Sequence, residues 1–581
     1  MAARANARRA AIRRYHGARQ LSGTREFIAR ARAVPVDAMV RAAICIALPL
    51  YLGHITAHET AGAIVALGAL WAVVQDTGPS YWIRARRIVV AGLSSAAGLA
   101  IGQAAVRTHT VWAVAVCVTV VAAAAGIINY SGTLGSVAGM HSLLGAIVGS
   151  GFILQGPFWL PSVELLLGTV LVLAFLGAAW LPKRHSAELM ATARVFDAAL
   201  VVLIAAGTDR VTAARRELTQ ALDGAQRMMG RYRPRTGTDL YRGTHAQQIM
   251  YAFQVAHDCA EIATALAWEA NILPAQLIIA SAELPMELGL PAVPSAAHAD
   301  PLTDRPQQAR DTAATKALQD LLSANRRLAA GSFQGTPLSG SVVGWGTRIA
   351  SAAVLASCML AAVVIAALME GPRAYWLPLG VAFIYKPELA PVPNRALQRC
   401  IGTAVGVGIA GFAAATKFST YPAIGLVVVC GALLAIGVVA HYIVATMALT
   451  AIVFVFVDFL GDHSDLLLTR FLDTAIAAGI VVLAHVLVPK QAWATRATVL
   501  LTEAQNAAER YAREAQSAQR TDQTALRRRA YSLLAEARVA ITHARREWWS
   551  RRDWTKAEST IRALEERCDA VTADIVAARR R

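Results

Sequence analysis

The feature that most constrains this chain is a recurrence of long windows without Asp, Glu, Lys or Arg. Ala42–His58, Thr60–Gln75 and Ile88–Val106 are three such windows. Thr108–Val163 is long enough for two helices with a turn near Asn129–Gly135, and Leu165–Pro182 makes a sixth. A second series follows a long polar stretch: Ile349–Met369, the short Ala374–Tyr385, Cys400–Thr416, Phe418–Val457 (two helices divided near His441) and Thr474–Pro489. A helix needs about 20 mostly apolar residues to cross the hydrocarbon core, and uncompensated charge there is costly. The pattern predicts an all-α polytopic membrane protein of about twelve spans in two six-helix halves.

The charges that remain are segregated. Only 16% of the 581 residues are charged, yet the formal net charge is +18. The basic flanks alternate along the chain. The N-terminal arm, the Arg84–Arg87 loop, the region from Lys183 to Arg348, the Lys386–Arg399 loop and the tail from Lys490 fall on one side; Arg107, Arg373 and Lys417 mark the other. Loops rich in Lys and Arg stay in the cytoplasm and favour anionic lipid headgroups. The expected location is the cell inner (plasma) membrane, with both termini cytoplasmic. The basic residues form no compact platform interleaved with aromatics, so nucleic acid is not an expected partner; membrane lipid is.

Five regions follow: a basic arm over 1–35, a first membrane half over 36–182, a helical cytoplasmic domain over 183–346, a second membrane half over 347–489, and a helical tail over 490–581. Within the cytoplasmic domain Ala187–Ala206, Asp209–Met229, Asp239–Asn271 and Arg310–Ala330 have helical periodicity, while the Pro- and Ala-rich 288–308 reads as a linker. The tail reads as two or three charged amphipathic helices.

Several chemistries lack their signatures. The seven cysteines form no CxxC and no disulfide framework. His54 and His58 stand at helical spacing beside Glu59 without a third ligand nearby, so no metal is expected. No GxxxxGK[ST] is present to hold a nucleotide. No cofactor is implied, and no nucleophile–base set has context enough for an enzyme.

The two halves echo each other. Ala66-Leu67-Gly68-Ala69 parallels Pro378-Leu379-Gly380-Val381, and Arg84-Ala85-Arg86-Arg87 parallels Arg395-Ala396-Leu397-Gln398. Gly92, Ser95, Gly98 and Gly102 stand against Gly402, Gly406, Gly408 and Gly411. A carboxylate enters the last span of each half, Glu164 and Asp473, and His141 and His441 are read as opening each fifth helix. Small residues let helices approach closely in lipid. Repeated halves with a site at their interface are a common transporter plan.

Three segments carry a family resemblance. Tyr375-Trp376-Leu377-Pro378-Leu379, then Arg395 through Gln398-Arg399 to Gly402-Thr403, then Arg470-Phe471-Leu472-Asp473-Thr474 resemble the pattern of the fusaric-acid-resistance (FUSC) family. That family includes bacterial aromatic-acid exporters and is distantly similar to plant aluminium-activated malate transporters. The resemblance covers both membrane halves and the order of regions. The first half departs from it, lacking the Tyr-Trp-x-Pro-Leu element and carrying Glu164 in place of Asp. The resemblance implies efflux of substituted aromatic carboxylates, driven by the proton gradient, and a homodimer.

The candidate pathway residues are Tyr375, Trp376, Pro378, Tyr385, Lys386, Arg395, Arg399 and Arg470. Pro378 and Gly380 interrupt a short span, either to line a site or to kink a packing helix. Lys386, Arg395 and Arg399 form either a funnel for carboxylates or a topology anchor. Tyr375, Trp376 and Tyr385 either stack on an aromatic substrate or belt the interface. Asp473 stands one turn after Arg470, either as its structural partner or as a proton-coupling carboxylate. Glu164 and His441 are further candidates for proton coupling, and His141 and His485 share the imidazole's suitability for a relay.

The expected function is proton-coupled secondary export of small organic anions. A passive anion channel and a membrane-anchored scaffold are the alternatives. A transporter or channel calls for a cavity lined by both halves; a scaffold calls for a packed apolar core with Arg470 and Asp473 merely paired.

Overall fold

The computed structural model describes residues 36–78, 81–154, 156–180, 186–229, 244–291, 293, 306–324, 345–369, 375–385, 392–416, 419–459, 467–487, 493–545 and 553–579. The N-terminal arm over 1–35, Lys386 and most of the 288–308 linker lie outside them. The described residues form twenty α-helices and no strand. In chain order these are α1 (Val36–Ile55), α2 (Glu59–Gln75), α3 (Tyr81–Val106), α4 (Val111–Ile128), α5 (Gly132–Gly151), α6 (Leu160–Trp180), α7 (Ser186–Ala205), α8 (Val211–Met229), α9 (Thr244–Trp268) and α10 (Ala275–Glu287). They continue with α11 (Ala313–Ala324), α12 (Trp345–Leu368), α13 (Trp376–Ile384), α14 (Val392–Ala415), α15 (Thr420–Ala440), α16 (Tyr442–Phe459), α17 (Leu467–Leu487), α18 (Trp493–Glu514), α19 (Arg520–Arg545) and α20 (Thr555–Ala578). The chain divides into two compact units, 1–182 with 342–491 and 183–341 with 492–581.

The first unit holds α1–α6 and α12–α17. Among the described residues nine helices are long and apolar enough to cross a membrane, and α2 is a shorter apolar helix of 17 residues. The protein is therefore an all-α, multi-pass membrane protein. Its helices are apolar nearly all round, so the faces not packed on a neighbour must meet hydrocarbon. Trp112, Leu368 and Leu487, each at least 70% exposed, lie on such faces. At nine residues α13 is about 13.5 Å long, less than half the roughly 30 Å core of a bilayer.

Helix pairing recurs between the halves. α3 packs on α5 and α6, and α2 on α6; α14 packs on α16 and α17, and α13 on α17. α4 lies along α5 as α15 lies along α16. The halves meet mainly in two seams, α1 on α15 and α12 on α4, with smaller contacts of α13 on α5 and of α15 and α16 on α2. A glycine sits at each of the two main seams: a Cβ on Gly126 of α4 would fall 2.5 Å from the Ala352 Cα, and one on Gly431 of α15 would fall 3.1 Å from the Ala43 Cα. Packing, rather than water exclusion, is what joins helices in lipid.

Two sequence expectations change here. His441 immediately precedes α16, but His141 lies in the middle of α5, buried, so it does not open that helix. The Asn129–Gly135 turn closes faster than expected, and α5 begins at Gly132, whose positive φ lets the chain reverse without steric cost.

The second unit is a bundle of α7–α11 with α18–α20. Two cores fill it, one around Phe253, Leu266 and Leu203, the other around Tyr511, Leu534 and Ile541. Its helices are amphipathic, with apolar stripes inward and charged faces outward. The helix α10, Ala275–Glu287, was not expected from the sequence; it begins just after Pro274, a residue that favours helix starts.

Candidate functional site

The short helix α13 organises the candidate site. Pro378 stands in its first turn, where the backbone N–H has no intrahelical partner to lose. Proline is tolerated there. It therefore begins the helix and does not kink it. Gly380 lets α17 approach: a Cβ there would fall 2.8 Å from the Ala477 Cβ. Arg395, at the start of α14, donates from Nε to the Phe383 carbonyl at 3.0 Å and covers an acceptor at the far end of α13. The Arg395 guanidinium lies 4.4 Å from the Tyr442 ring centre.

A cavity of about 80 Å³, partly open to its surroundings, lies along α13. Both halves line it: Trp71, Leu99 and Phe152 from the first, Trp376, Phe383 and Arg470 from the second. Its walls are apolar and aromatic. Apolar cavities with a few converging polar groups are a common form of small-molecule site.

The buried polar atoms without a partner in and beside this site are donors. Arg470 is 2% exposed, with its guanidinium 4.9 Å from the Trp376 ring centre. Its Nε and Nη1 have no hydrogen-bond partner, and neither does the Trp376 indole Nε1. Arg399 is 1% exposed and stacks 4.4 Å from the centre of Phe383, a cavity residue. Its Nε and Nη2 are also unpaired, and these form the side-on edge that takes a carboxylate in two parallel bonds. Asp473 is buried one turn beyond Arg470, yet among the described residues no ion pair joins the two. A buried cation without an acceptor is costly. An anion entering the cavity would remove that cost.

The first half handles its buried cations differently. Arg41 and Arg84, both buried, converge on Asp76, donating at 2.6 and 2.5 Å. Beside them Arg87 Nη2 donates to Gln75 Oε1 at 3.3 Å, and the Gln75 amide lies 2.9 Å from His141 Nε2. Arg84 and Arg87, expected from the sequence to lie in a topology loop, instead belong to this buried network at the start of α3. The signal that marks it is Asp76, a lone carboxylate at the C-terminal end of an apolar window.

The remaining candidates scatter. Tyr375 lines the cavity at the start of α13, its ring 5.7 Å from that of Phe152. Tyr385 closes the same helix but turns to α12, its hydroxyl 3.3 Å from the Ser351 carbonyl, and does not line the cavity. Glu164 is half-buried on α6, outside the cavity lining. His441 is an exposed cap, its Nδ1 accepting from the Ile443 N–H at 3.3 Å. Lys386 lies outside the described residues. Of the histidine pair, His54 meets Glu59 at 2.8 Å while the His58 ring bonds the Thr56 carbonyl at 2.7 Å. The aromatic liners Trp71, Phe152, Phe383 and Phe456 were not singled out from the sequence, because an aromatic in an apolar window carries no local mark of facing a cavity.

Residues 360–484 match the family described as fusaric acid resistance protein-like, a span that contains α13–α16, Arg399, Arg470 and Asp473. No curated protein and no solved structure matches the chain.

Proposed function

We propose, from the premise that this chain belongs to the fusaric acid resistance protein-like family through its second membrane half, that it is a secondary transporter exporting small aromatic carboxylates. The family accounts for membrane transport. The choice of cargo rests on one observation: the Arg470 guanidinium and the Trp376 indole N–H offer unpaired donors in an aromatic cavity, with the unpaired donors of Arg399 behind its Phe383 wall. A planar aromatic acid matches both parts. Its ring stacks among Trp71, Trp376 and Phe383, and its carboxylate takes the free donors.

The recurring helix pairs and reciprocal seams support two repeated halves with the pathway between them. The division of labour follows. In the first half the buried cations are neutralised by Asp76, which suits a supporting role. In the second they stay open, which suits binding. Asp473, buried and unpaired with Arg470, suits a carboxylate that exchanges a proton with the gradient. The Arg-rich flanks favour an inner-membrane location with both termini cytoplasmic.

The test is uptake of labelled 4-hydroxybenzoate into proteoliposomes with and without an imposed pH gradient, for wild type, Arg470→Gln and Asp473→Asn. Export predicts saturable flux abolished in Arg470→Gln, and gradient stimulation abolished in Asp473→Asn. Flux that follows voltage and ignores the pH gradient would replace the carrier with a channel. Absence of flux for every aromatic and dicarboxylic acid would leave a scaffold.

A further inference from the structure

We propose that His141 is a proton-binding site of the transport cycle and that Gln75 is its latch. This rests on the transport reading above. His141 lies in the middle of α5 and is 3% exposed. The hydrogen-bond chain around it has one consistent sense. Arg87 can only donate, so its Nη2 contact at 3.3 Å fixes the Gln75 oxygen on that side. The Gln75 NH₂ then faces His141 and donates to Nε2 at 2.9 Å. His141 Nε2 is therefore a lone pair, and the ring proton sits on Nδ1. That proton is donated to Ser95 Oγ at 3.2 Å, while Ser95 donates its own to the Ala91 carbonyl at 2.6 Å.

A proton can join this ring only at Nε2, giving an imidazolium with N–H on both nitrogens. Gln75 must then turn its amide through a half-rotation to offer oxygen. That rotation sets the NH₂ against Arg87 and breaks the Arg87 contact. When the proton leaves by the same nitrogen, the amide returns. Protonation deep in α5 is thus tied to an arginine at the start of α3.

The ring is also tied to the cavity. Trp71 meets His141 edge-on, with ring centres 6.1 Å apart, and lines the cavity. A change of charge on His141 acts directly on a cavity wall. The charged groups nearest it on the surrounding elements are Asp76, Arg84 and Arg87 about the α2–α3 turn, with Arg86 exposed on the same turn of α3. On α4 the Cys117 thiol turns to the Ile101 carbonyl, and the Tyr375 phenol ring meets the far end of α5 at Gly151.

Two measurements on the full chain test this. Labelled 4-hydroxybenzoate uptake into proteoliposomes is taken as the ratio of flux with a pH gradient to flux without, for wild type, His141→Gln and Gln75→Ala. Separately, ¹⁵N NMR of histidine-labelled protein follows the His141 ring between about pH 5 and 8, assigned by its loss in His141→Gln. The expectation is a wild-type ratio of severalfold falling to about one in His141→Gln. The ring should titrate within the window, and Gln75→Ala should move its midpoint. A His141→Gln ratio equal to wild type overturns the proposal. If His141→Gln does not fold, Gln75→Ala decides: a moved pH profile of uptake supports the latch, and an unchanged one overturns it. If wild type carries no probe at all, the transport reading fails by itself. The NMR titration still decides the proton site, since a ring that stays neutral throughout overturns it.

Discussion

The guanidinium of Arg470 lies 4.9 Å from the centre of the Trp376 ring, and its Nε and Nη1 find no acceptor. The ring face supplies some of what a buried cation needs, but it supplies no hydrogen-bond acceptor. Arg470→Gln should therefore weaken 4-hydroxybenzoate binding by about tenfold to a hundredfold, as a charge-assisted hydrogen bond contributes about 1.5–3 kcal/mol. Arg470→Lys should fall between, because an ammonium is a point charge without the guanidinium's fork. Equilibrium binding to purified protein in detergent checks both, and an unaltered Kd in Arg470→Gln would remove this residue from the site.

Trp376 is tested by a smaller change. Trp376→Phe keeps an aromatic face on Arg470 and deletes the unpaired indole N–H. If that N–H serves a bound carboxylate or ring hydroxyl, affinity falls by about tenfold, near 1.4 kcal/mol. If it serves nothing, the variant should bind as wild type and melt slightly higher, since a buried donor without a partner is costly. Trp376→Ala should instead lower thermal stability, by about 3–5 kcal/mol, whatever the ligand.

A pH prediction belongs to the second unit. Burial pushes the Glu261 carboxyl up, but the His257 imidazole 3.4 Å away and the charges of Arg527 and Arg579 outweigh it and hold it well below the usual carboxylate range. The folded pKa is thus lower than the unfolded one, near 4.3. The stabilisation is present above about pH 4.3 and is lost as pH falls towards the folded value. Glu261→Gln should cost about 3 kcal/mol at pH 7, because it leaves buried cations without their carboxylate. Melting of the full protein should show the difference between wild type and variant narrowing as pH drops below about 4.

The fold was largely legible because a bilayer writes itself into sequence as missing charge. Each apolar window returned a helix, and even α13 was marked by its shortness. The site was legible only in part. Arg399, Arg470 and Trp376 stood out as charge or aromatics in apolar surroundings. What hydropathy cannot encode is rotation about a helix axis: Tyr375 turns to the cavity and Tyr385, at the other end of α13, turns away to Ser351. His141 was misplaced for a related reason. A charge-free run that holds two helices does not reveal where the turn falls, and a shift of that turn converts a helix start into a buried centre.

The two seams between the halves make a prediction about architecture. Gly126 on α4 meets the backbone of Ala352 on α12, and Gly431 on α15 meets the backbone of Ala42 and Ala43 on α1. Backbone cannot move aside as a flexible side chain can, so a Cβ at Gly126 forces the helices apart, while at Gly431 a Cβ asks the facing backbone to give by a few tenths of an ångström and a longer side chain asks more. Overpacking of this kind costs about 1–3 kcal/mol. Gly425, on the same helix as Gly431, has open space where its Cβ would stand, and serves as the internal control. Gly126→Leu and Gly431→Leu should each lower the melting temperature in detergent by several degrees, with Gly126→Leu the more severe because its approach is 2.5 Å against 3.1 Å. Gly425→Leu should leave it within about one degree. Equal tolerance of all three would mean the halves are not held by these contacts, and the packing of α1 on α15 and α12 on α4 would then lose its standing as the joint between the two membrane halves.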